Sequence, residues 1–293
     1  MSDMQNFIQN FPKQIPPQHQ NVHPGIEKDM NPKPIYDNPN YKGSGKLHNK
    51  VTLITGGDSG IGRAVAISYA KEGSDIAIIY FNEHQDAEET KEAVIKCGRR
   101  CILIPGDIKD SAFCKSAVIQ TVTELGGLDI LINNAAVQYV QNTIENITDA
   151  QLEETFKTNI FSMFYLTREA LSHMKRGASI INTASITAYK GHELLIDYSS
   201  SKGAIVTFTR SMAISLASKG IRVNAVAPGP IWTPLIPSSF DTNKVKQFGS
   251  NTSFGRPGQP VELASAYVFL SSDDASFITG EIIHVNGGEI VNG

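Results

Sequence analysis

Short apolar runs rich in β-branched residues alternate with longer amphipathic segments through most of the chain. Such runs are typical of buried strands, and the segments between them have helical spacing. Regular alternation predicts parallel strands joined by helical crossovers, with helices on both faces of the sheet. The predicted fold is a single α/β domain with a doubly wound, seven-stranded parallel sheet. Strands are predicted at 51–55, 75–81, 101–105, 128–132, 179–183, 222–227 and 281–285, and helices near 60–72, 84–97, 111–125, 149–176, 198–219 and 260–272.

Residues 1–46 show neither the helical nor the alternating pattern of apolar positions, and they contain half of the fourteen prolines. Proline fixes φ and removes a backbone donor, so this region is predicted to be an extended arm ahead of a domain at 47–293. Plain disorder is the alternative. The arm nevertheless carries more apolar anchors than a solvated tail usually does, which favours an arm draped over the domain or over a neighbouring subunit. These anchors are Phe7, Ile8, Phe11, Ile15, Ile35, Tyr36 and Tyr41.

A glycine-rich turn follows the first predicted strand and opens the first helix. Its glycines, Gly56, Gly60 and Gly62, have the spacing Gly-x-x-x-Gly-x-Gly. Glycines let a backbone approach a pyrophosphate, and the free N–H groups of the helix N-terminus face it. A tight turn without a ligand is the alternative. Between a strand and a helix, the turn predicts a Rossmann-type dinucleotide-binding fold.

A second pattern places chemistry late in the chain. Tyr198 and Lys202 are four residues apart, which puts a phenol and an ammonium on the same face of a helix. A neighbouring cation favours the phenolate and is expected to lower the tyrosine's pKa, so that it can exchange a proton with a carbonyl or alcohol. Ser185 ends an apolar run and would be a second partner of that oxygen. Alone, the Tyr/Lys spacing also fits an ordinary surface pair.

Together these motifs resemble the short-chain dehydrogenase/reductase family over roughly residues 48–293, and within it the N-terminally extended bacterial glucose/ribitol dehydrogenase-like oxidoreductases. Asn133-Asn134-Ala135-Ala136 stands where the family has Asn-Asn-Ala-Gly, with Ala136 as a small departure. The resemblance implies hydride transfer between a nicotinamide cofactor and a carbonyl/alcohol pair. Tyr198 would be the acid/base, and Lys202 would lower its pKa and hold the nicotinamide ribose. Ser185 would stabilise the substrate oxygen, and Asn159 would hold a water in the proton path.

The resemblance also implies a cofactor site. Asp107 would meet the adenine ring, and Pro228-Gly229 would lie against the nicotinamide. The full expected set is Gly56, Asp58, Ser59, Gly60, Ile61, Gly62, Phe81, Asn82, Asp107, Ile108, Asn134, Ala135, Ala136, Tyr198, Lys202, Pro228, Gly229, Ile231 and Thr233.

The choice between NAD and NADP depends on the end of the second strand. Phe81 stands at the family's acidic position for the ribose 2′-hydroxyl. The positions that usually carry a cation for a 2′-phosphate hold Asn82 and Ser59. Asp58 adds a negative charge nearby, and Arg63 is a possible compensating cation. NAD is therefore predicted, with NADP as the alternative.

The expected substrate pocket has apolar walls and a few polar groups, which suit a small aldehyde, a ketone, a sugar or a polyol. Residues 230–259, rich in Pro, Ser and Asn, are expected to be a lid over it. One alternative is a 3-ketoacyl carrier-protein reductase, disfavoured by the missing NADPH cation and basic patch. Another is a non-catalytic dinucleotide sensor, disfavoured because Tyr198, Lys202 and Ser185 all remain. The expected substrate contacts are Ser185, Gln138, Thr187, His192 and Trp232.

Composition narrows the partners. The 293 residues are 41% hydrophobic with a formal net charge of −3 and a pI near 6.2, which argues against nucleic acid and anionic membranes. No apolar stretch reaches the ~18–20 residues of a membrane span, and the N-terminus lacks a secretory pattern. Three cysteines, expected near surface helix ends, fit neither a disulfide framework nor a metal site. The expected protein is cytoplasmic and, from apolar helix faces and the family's two-fold contacts, a homotetramer with the arm on its outside.

Overall fold

The computed structural model describes residues 7–289 and 291. Its centre is one seven-stranded sheet. The strands are β1 Val51–Thr55, β2 Asp75–Tyr80, β3 Cys101–Pro105, β4 Ile130–Asn133, β5 Ser179–Thr183, β6 Arg222–Pro228 and β7 Ile282–Val285. Their order in the sheet is β3-β2-β1-β4-β5-β6-β7, and every neighbouring pair is parallel. The predicted Rossmann-type α/β class is confirmed.

Helices connect the strands and cover both faces of the sheet. The first begins at Gly60, immediately after the glycine-rich turn, as the sequence predicts. The helices are α1 Gly60–Lys71, α2 His84–Lys96, α3 Ser111–Leu125, α4 Asp149–Phe156, α5 Ser162–Ala170, α6 Thr187–Lys190, α7 Ile196–Leu216, α8 Leu235–Ser239, α9 Thr242–Gln247 and α10 Val261–Ser271.

Two predicted elements differ from the structure. The single helix expected at 149–176 is divided by a π-helical segment, Lys157–Phe161, and its regular part ends at Ala170. Residues 230–259, expected as an irregular loop, contain the short helices α8 and α9. We call residues 230–259 the lid segment. A bridge between Ile231 and Gly258 closes its base.

The two cores lie on opposite faces of the sheet. Alternate strand residues such as Ile54 and Ile78 pack under α1, α2 and α10. Their neighbours Leu53 and Ile79 face α3, α5 and α7. Because side chains alternate between faces of a strand, strands buried on both faces must be apolar at nearly every position. Connections leave in opposite directions from β1 and β4, so a crevice opens at their carboxyl ends, where such sheets bind ligands.

The described part of the arm lies on its own domain. Phe11, Ile15 and Met30 are 4%, 2% and 4% exposed. Ile15 and Met30 share a core cluster with Trp232, Ile236, Phe240 and the catalytic candidate Tyr198. Of the arm's predicted apolar anchors, Phe11 and Ile15 are thus buried within the chain itself, whereas Ile8 is 40% exposed. Residues 1–6, 290, 292 and 293 lie outside the described residues.

Candidate active site

The glycine-rich turn has the backbone of a phosphate cradle. Gly56 and Gly60 have φ of +62° and +51°, which L side chains rarely adopt. A Cβ on Gly62 would lie 1.9 Å from the Gly56 carbonyl oxygen, so only glycine permits the turn to close against α1. The residues present therefore fit the pyrophosphate of a dinucleotide.

Asn134 forms hydrogen bonds with several residues that border the crevice. Its backbone N–H donates to the Thr55 Oγ1 at 2.9 Å, and its side-chain Nδ2 donates to the carbonyl oxygens of Thr55 and Gly56. Its Oδ1 accepts from the Thr183 hydroxyl at 3.3 Å. One amide thus links the carboxyl ends of β1 and β5 beside the glycine-rich turn.

Tyr198 and Lys202 lie one turn apart near the start of α7, as their spacing predicts. The Lys202 Nζ lies 5.4 Å from the centre of the Tyr198 ring and donates to the Thr183 carbonyl oxygen at 2.8 Å. Lys202 is 1% exposed and Tyr198 8% exposed. A lysine this buried indicates a specific role, because lysine is rarely buried without a partner.

The expectation that the pKa of Tyr198 is lowered is wrong, because its surroundings in the fold raise it. Burial raises the pKa of Tyr198 to about 12, which a hydrogen bond with Ser185 only partly offsets. Burial likewise lowers the pKa of Lys202 to about 7. Desolvation disfavours both charged forms. The pair therefore favours a neutral phenol that still carries its proton.

Ser185 is oriented toward that phenol by its own turn. The Thr187 N–H and hydroxyl both donate to the Ser185 Oγ at 3.1 Å. The hydroxyl hydrogen of Ser185 is then free to serve another oxygen. Ser185 and Tyr198 together present two hydroxyl groups to one small volume.

Asn159 lies in the π-helical segment and is completely buried. Its Oδ1 accepts from the Val137 N–H at 2.8 Å, and its Nδ2 donates to the Val137 carbonyl oxygen at 3.0 Å and to the Ser201 hydroxyl at 3.0 Å. Single π-helical turns are frequent at functional sites. Asn159 connects the segment after β4 to α7 one residue before Lys202.

A cavity of about 640 Å³ lies over the carboxyl ends of the strands. It brings together most of the residues that the sequence assigns to the site. The expected residues that line it are Gly56, Asp58, Ser59, Gly60, Ile61, Phe81, Asp107, Ile108, Asn134, Ala135, Ala136, Gln138, Ser185, Thr187, His192, Tyr198, Lys202, Pro228, Gly229, Ile231 and Thr233.

Three expected ligand contacts lie elsewhere. Gly62 is inside α1 and Asn82 is exposed just beyond β2, and neither lines the cavity. The expectation that Trp232 contacts substrate is wrong: its side chain is completely buried. Its Nε1 donates to the Pro32 carbonyl oxygen of the arm at 2.8 Å. The largest apolar ring of the lid segment therefore faces the arm, where it is removed from water.

Sequence reasoning missed the arm's part in the cavity. His23, Pro24 and Gly25 line it together with Tyr139. The proline content and apolar anchors of the arm indicated packing on the domain, but no motif marked the point at which the arm meets the ligand-binding crevice.

The arm also contacts the glycine-rich turn through Glu27. One carboxylate oxygen accepts from the Gly60 N–H at 2.6 Å, and the other lies 2.8 Å from the Arg63 guanidinium. Asp86 accepts the Glu27 N–H at 2.7 Å. Arg63 donates further to the carbonyl oxygens of Asp58 and Asp86, and the arm's Tyr36 ring covers it at 5.0 Å.

This network is rich in carboxylates. Burial raises the pKa of Glu27 to about 7. Burial and the charge of Glu83 raise the pKa of Asp58 to about 7 as well. Arg63, the candidate cation for a 2′-phosphate, is 2% exposed and does not line the cavity.

Among residues 7–289 and 291, no group of three or more His, Cys, Asp or Glu is arranged to hold a metal ion. Across the same residues, no helix has the length and apolarity needed to cross a membrane.

Comparison with known proteins agrees with this architecture. A family model described as enoyl-(acyl carrier protein) reductase matches residues 56–289. The uncharacterized oxidoreductase YhdF of Bacillus subtilis (strain 168) is 63% identical, over 94% of this chain and 96% of its own. Glucose and ribitol dehydrogenase of Daucus carota is 51% identical, over 96% and 98%. The chloroplastic NADPH-dependent aldehyde reductase 1 of Arabidopsis thaliana is 52% identical, over 94% and 98%.

Solved structures match the fold closely. A short-chain dehydrogenase from Burkholderia cenocepacia J2315 in complex with NADP has a TM-score of 0.78 at 29% identity, covering 83% of this chain and 98% of its own. A 3-ketoacyl-(acyl-carrier-protein) reductase from Brucella melitensis complexed with NADH has a TM-score of 0.76 at 31% identity, with the same coverages. With its parallel sheet, glycine-rich turn and buried Tyr/Lys pair, this chain belongs to the short-chain dehydrogenase/reductase family and is an NAD(P)-dependent oxidoreductase.

Proposed function

We propose that this protein is an NAD-preferring oxidoreductase in which Tyr198 exchanges a proton with the oxygen of a small carbonyl or alcohol substrate. The observation that carries the proposal is the buried Tyr198–Ser185–Lys202 group at the floor of the cavity. A nicotinamide dinucleotide, when bound, supplies or accepts the hydride. The protein binds and orients the cofactor and the substrate, and it transfers the proton.

Each residue of the group has a distinct role in this proposal. The Tyr198 phenol, kept protonated by its raised pKa, donates its proton to a carbonyl oxygen in the reductive direction. Ser185, oriented by Thr187, donates a second hydrogen bond to the same oxygen. Lys202, anchored on Thr183, holds the nicotinamide ribose and returns the proton. Asn159 positions the segment after β4 against α7.

Acidic side chains at the end of β2 support the preference for NAD. Asp58 and Glu83 line the cavity near the end of β2, and in their ionised forms they would repel a 2′-phosphate next to them. Arg63 is occupied by Glu27, Asp58 and Asp86, so it does not offset that repulsion. NADP remains the alternative, because one relative is named as NADPH-dependent and one structural neighbour binds NADP.

The substrate is proposed to be a small aldehyde, ketone, sugar or polyol. The arm and the lid segment close the cavity around mixed apolar and polar walls, including Gln138, Thr187 and His192. A relative named for glucose and ribitol supports the sugar or polyol part of this range. A neighbour named as a 3-ketoacyl-(acyl-carrier-protein) reductase keeps acyl thioesters as a competing class.

We further propose a cytoplasmic homotetramer. In the described chain none of the three cysteines forms a disulfide, and burial raises the pKa of Cys101 and Cys114 to about 12, which makes both thiols poorly reactive. The exposed side chains of Phe161, which ends the π-helical segment, and Phe164, on α5, provide an apolar surface for association.

An activity screen tests the proposal. The purified full-length protein is assayed with NADH and NADPH over aldehydes, ketones, sugars and 3-ketoacyl thioesters, and in reverse over polyols. We expect turnover of small carbonyls that Tyr198→Phe abolishes. Turnover confined to 3-ketoacyl thioesters would favour the competing reductase, and cofactor binding with no turnover of any substrate would favour a sensor.

A further inference from the structure

His23 is held at the cavity by a short closed loop of the arm. The Gln20 side chain accepts from the Ile26 N–H at 2.7 Å and donates to the Ile26 carbonyl oxygen at 2.8 Å. The Gln20 N–H donates to the Pro237 carbonyl oxygen of the lid segment at 2.8 Å. The loop between residues 20 and 26 is therefore closed by its own hydrogen bonds and attached to the lid segment. These bonds pre-organise the position of His23 at the cavity.

This loop packs tightly against the lid segment. A Cβ on Gly25 would lie 2.3 Å from the Pro234 carbonyl oxygen, so the arm passes in direct contact with the lid segment. The His23 ring packs on Tyr139, with ring centres 4.9 Å apart, and both side chains line the cavity. His23 thus forms part of a rigid wall of the site that contains Tyr198.

One nitrogen of the His23 ring lacks a partner. A hydrogen bond with the backbone of Ser238 engages the ring, and burial lowers its pKa below the ordinary value, which favours the neutral imidazole. Among the described residues the Nε2 atom is buried with no hydrogen-bond partner. In a neutral ring whose other nitrogen donates to a carbonyl, Nε2 is an acceptor.

Gln138, on the same wall of the cavity, has an unpaired hydrogen-bond donor that complements the unpaired acceptor of His23. It is 4% exposed, and within the described residues its Nε2 is buried without an acceptor. Its backbone carbonyl oxygen accepts from the Ser239 hydroxyl at 3.3 Å, next to the residue that engages His23. Buried polar groups are nearly always paired, and leaving one unpaired is unfavourable.

We propose that His23 of the arm, together with Gln138, is a specificity-determining residue that binds a hydroxyl group of the substrate other than the reacting one. The wall offers one acceptor and one unpaired amide donor, and a hydroxyl can donate to the first and accept from the second. The favoured substrate is a hydroxylated aldehyde, sugar or polyol rather than a plain aliphatic carbonyl. This inference rests on the proposed function and narrows its substrate class.

The kinetic test compares two aldehydes that differ only in hydroxyl groups, glyceraldehyde and propanal. His23→Phe keeps an aromatic ring against Tyr139 and removes the acceptor nitrogen. We expect its kcat/KM for glyceraldehyde to fall about tenfold, mainly through KM, since one hydrogen bond to the substrate is lost. For propanal the change should stay within about twofold. Val22→Ala, at the exposed neighbouring position, is the matched control.

A binding measurement keeps the inference separate from the reaction. Ribitol is titrated calorimetrically into the NADH-loaded wild-type protein and into His23→Phe, with no turnover required. We expect binding that weakens about tenfold in the variant. Equal losses for both aldehydes, no change in either aldehyde, or no ribitol binding to the wild type would overturn the role of His23. Inactivity toward every carbonyl with normal ribitol binding would overturn the proposed reaction and leave the subsite standing.

Discussion

Tyr198 and Lys202 show how burial sets the chemistry of single residues. Their pKa values move in opposite directions, to about 12 and about 7, because both charged forms lose hydration. The resulting neutral phenol is suited to proton donation, since it keeps its proton at working pH. Sequence spacing predicted that the two groups meet, but only their depth in the fold determined which protonation states their surroundings favour.

Replacing Tyr198 by phenylalanine tests that assignment. We expect Tyr198→Phe to lower kcat by roughly 10²–10⁴-fold, because general acid/base catalysis contributes about that much. The affinity for dinucleotide, measured by fluorescence titration, should change little, since most of the expected cofactor contacts lie elsewhere and the variant loses only one hydroxyl group. Activity within threefold of the wild type would remove Tyr198 from the mechanism.

A second residue-scale prediction concerns the cofactor. Ser59 lines the cavity directly before Gly60, so Ser59→Arg brings a cation next to Asp58. We expect the wild type to bind NADH more tightly than NADPH, and the variant to shift that ratio at least tenfold toward NADPH. Asn82→Arg, outside the cavity lining, should shift it less. A wild type that prefers NADPH tenfold would contradict the charge argument.

At the scale of elements, the arm and α1 are joined by a buried network in which carboxylates outnumber cations. Arg63 pairs with Glu27 at 2.8 Å, with Glu89 at 3.3 Å and with Asp86 at 3.7 Å. Such pairs stabilise only when their geometry offsets the desolvation cost. The raised pKa of Glu27, about 7, means that the folded chain holds a proton there which the unfolded chain releases.

This linkage predicts a pH dependence of stability. A raised carboxyl pKa contributes stability that is fully present below the ordinary value of 4.5 and is lost as pH rises through about 7. The wild-type melting temperature should therefore fall between pH 5 and pH 8. Glu27→Gln should reduce that fall, while Asp58, shifted in the same direction, maintains part of it. Glu92→Gln, at an exposed position, is the control; equal pH slopes in all three proteins would refute the linkage.

Contact between the arm and the lid segment gives another element-scale prediction. Gly25→Ala places a methyl group 2.3 Å from the Pro234 carbonyl oxygen, so one of the two segments must move. We expect KM for substrate to rise several-fold with a smaller change in kcat, because the lid segment forms the cavity wall and Tyr198 lies beneath it. Gly127→Ala, where nothing lies within 4 Å of the added Cβ, is the matched control. Unchanged KM would show that the contact does not shape the site.

At the scale of the whole molecule, apolar side chains remain on the outer surface of the helices. Phe161, the last residue of the π-helical segment, is 42% exposed, Phe164 on α5 is 52% exposed, and Ile214 on α7 is 81% exposed. The Phe164 ring lies 4.7 Å from that of Phe208 on α7. Exposed apolar groups on the outer surface of helices are typical of an association surface.

This surface predicts the assembly. A protein with two different two-fold contacts closes into a tetramer with 222 symmetry, and light scattering should give about four times 31.8 kDa. Phe164→Asp should reduce the mass to that of a dimer or monomer, because it buries a charge in the contact. Ile144→Asp, 62% exposed on a separate turn, should not. A wild type that is monomeric at micromolar concentration would contradict the proposal.

The sequence by itself determined the sheet, the glycine-rich turn and the spacing of Tyr198 and Lys202. These features depend on local rules: apolar runs buried on both faces make parallel strands, and residues four apart share a helix face. Such rules act within a few residues, so they can be read along the chain. The same reasoning failed at Lys157–Phe161, because a π-helical turn around Asn159 depends on its bonds to Val137 and Ser201 rather than on local propensity.

The tertiary structure alone decided how the arm takes part in the site. Glu27 meets Gly60 and Arg63 across more than thirty residues, and Trp232 bonds to Pro32 across two hundred. Contacts at this separation have no local pattern, because the fold, not the sequence spacing, brings the groups together. For the same reason Trp232, expected at the substrate, faces the arm, and His23, marked by no motif, lines the cavity.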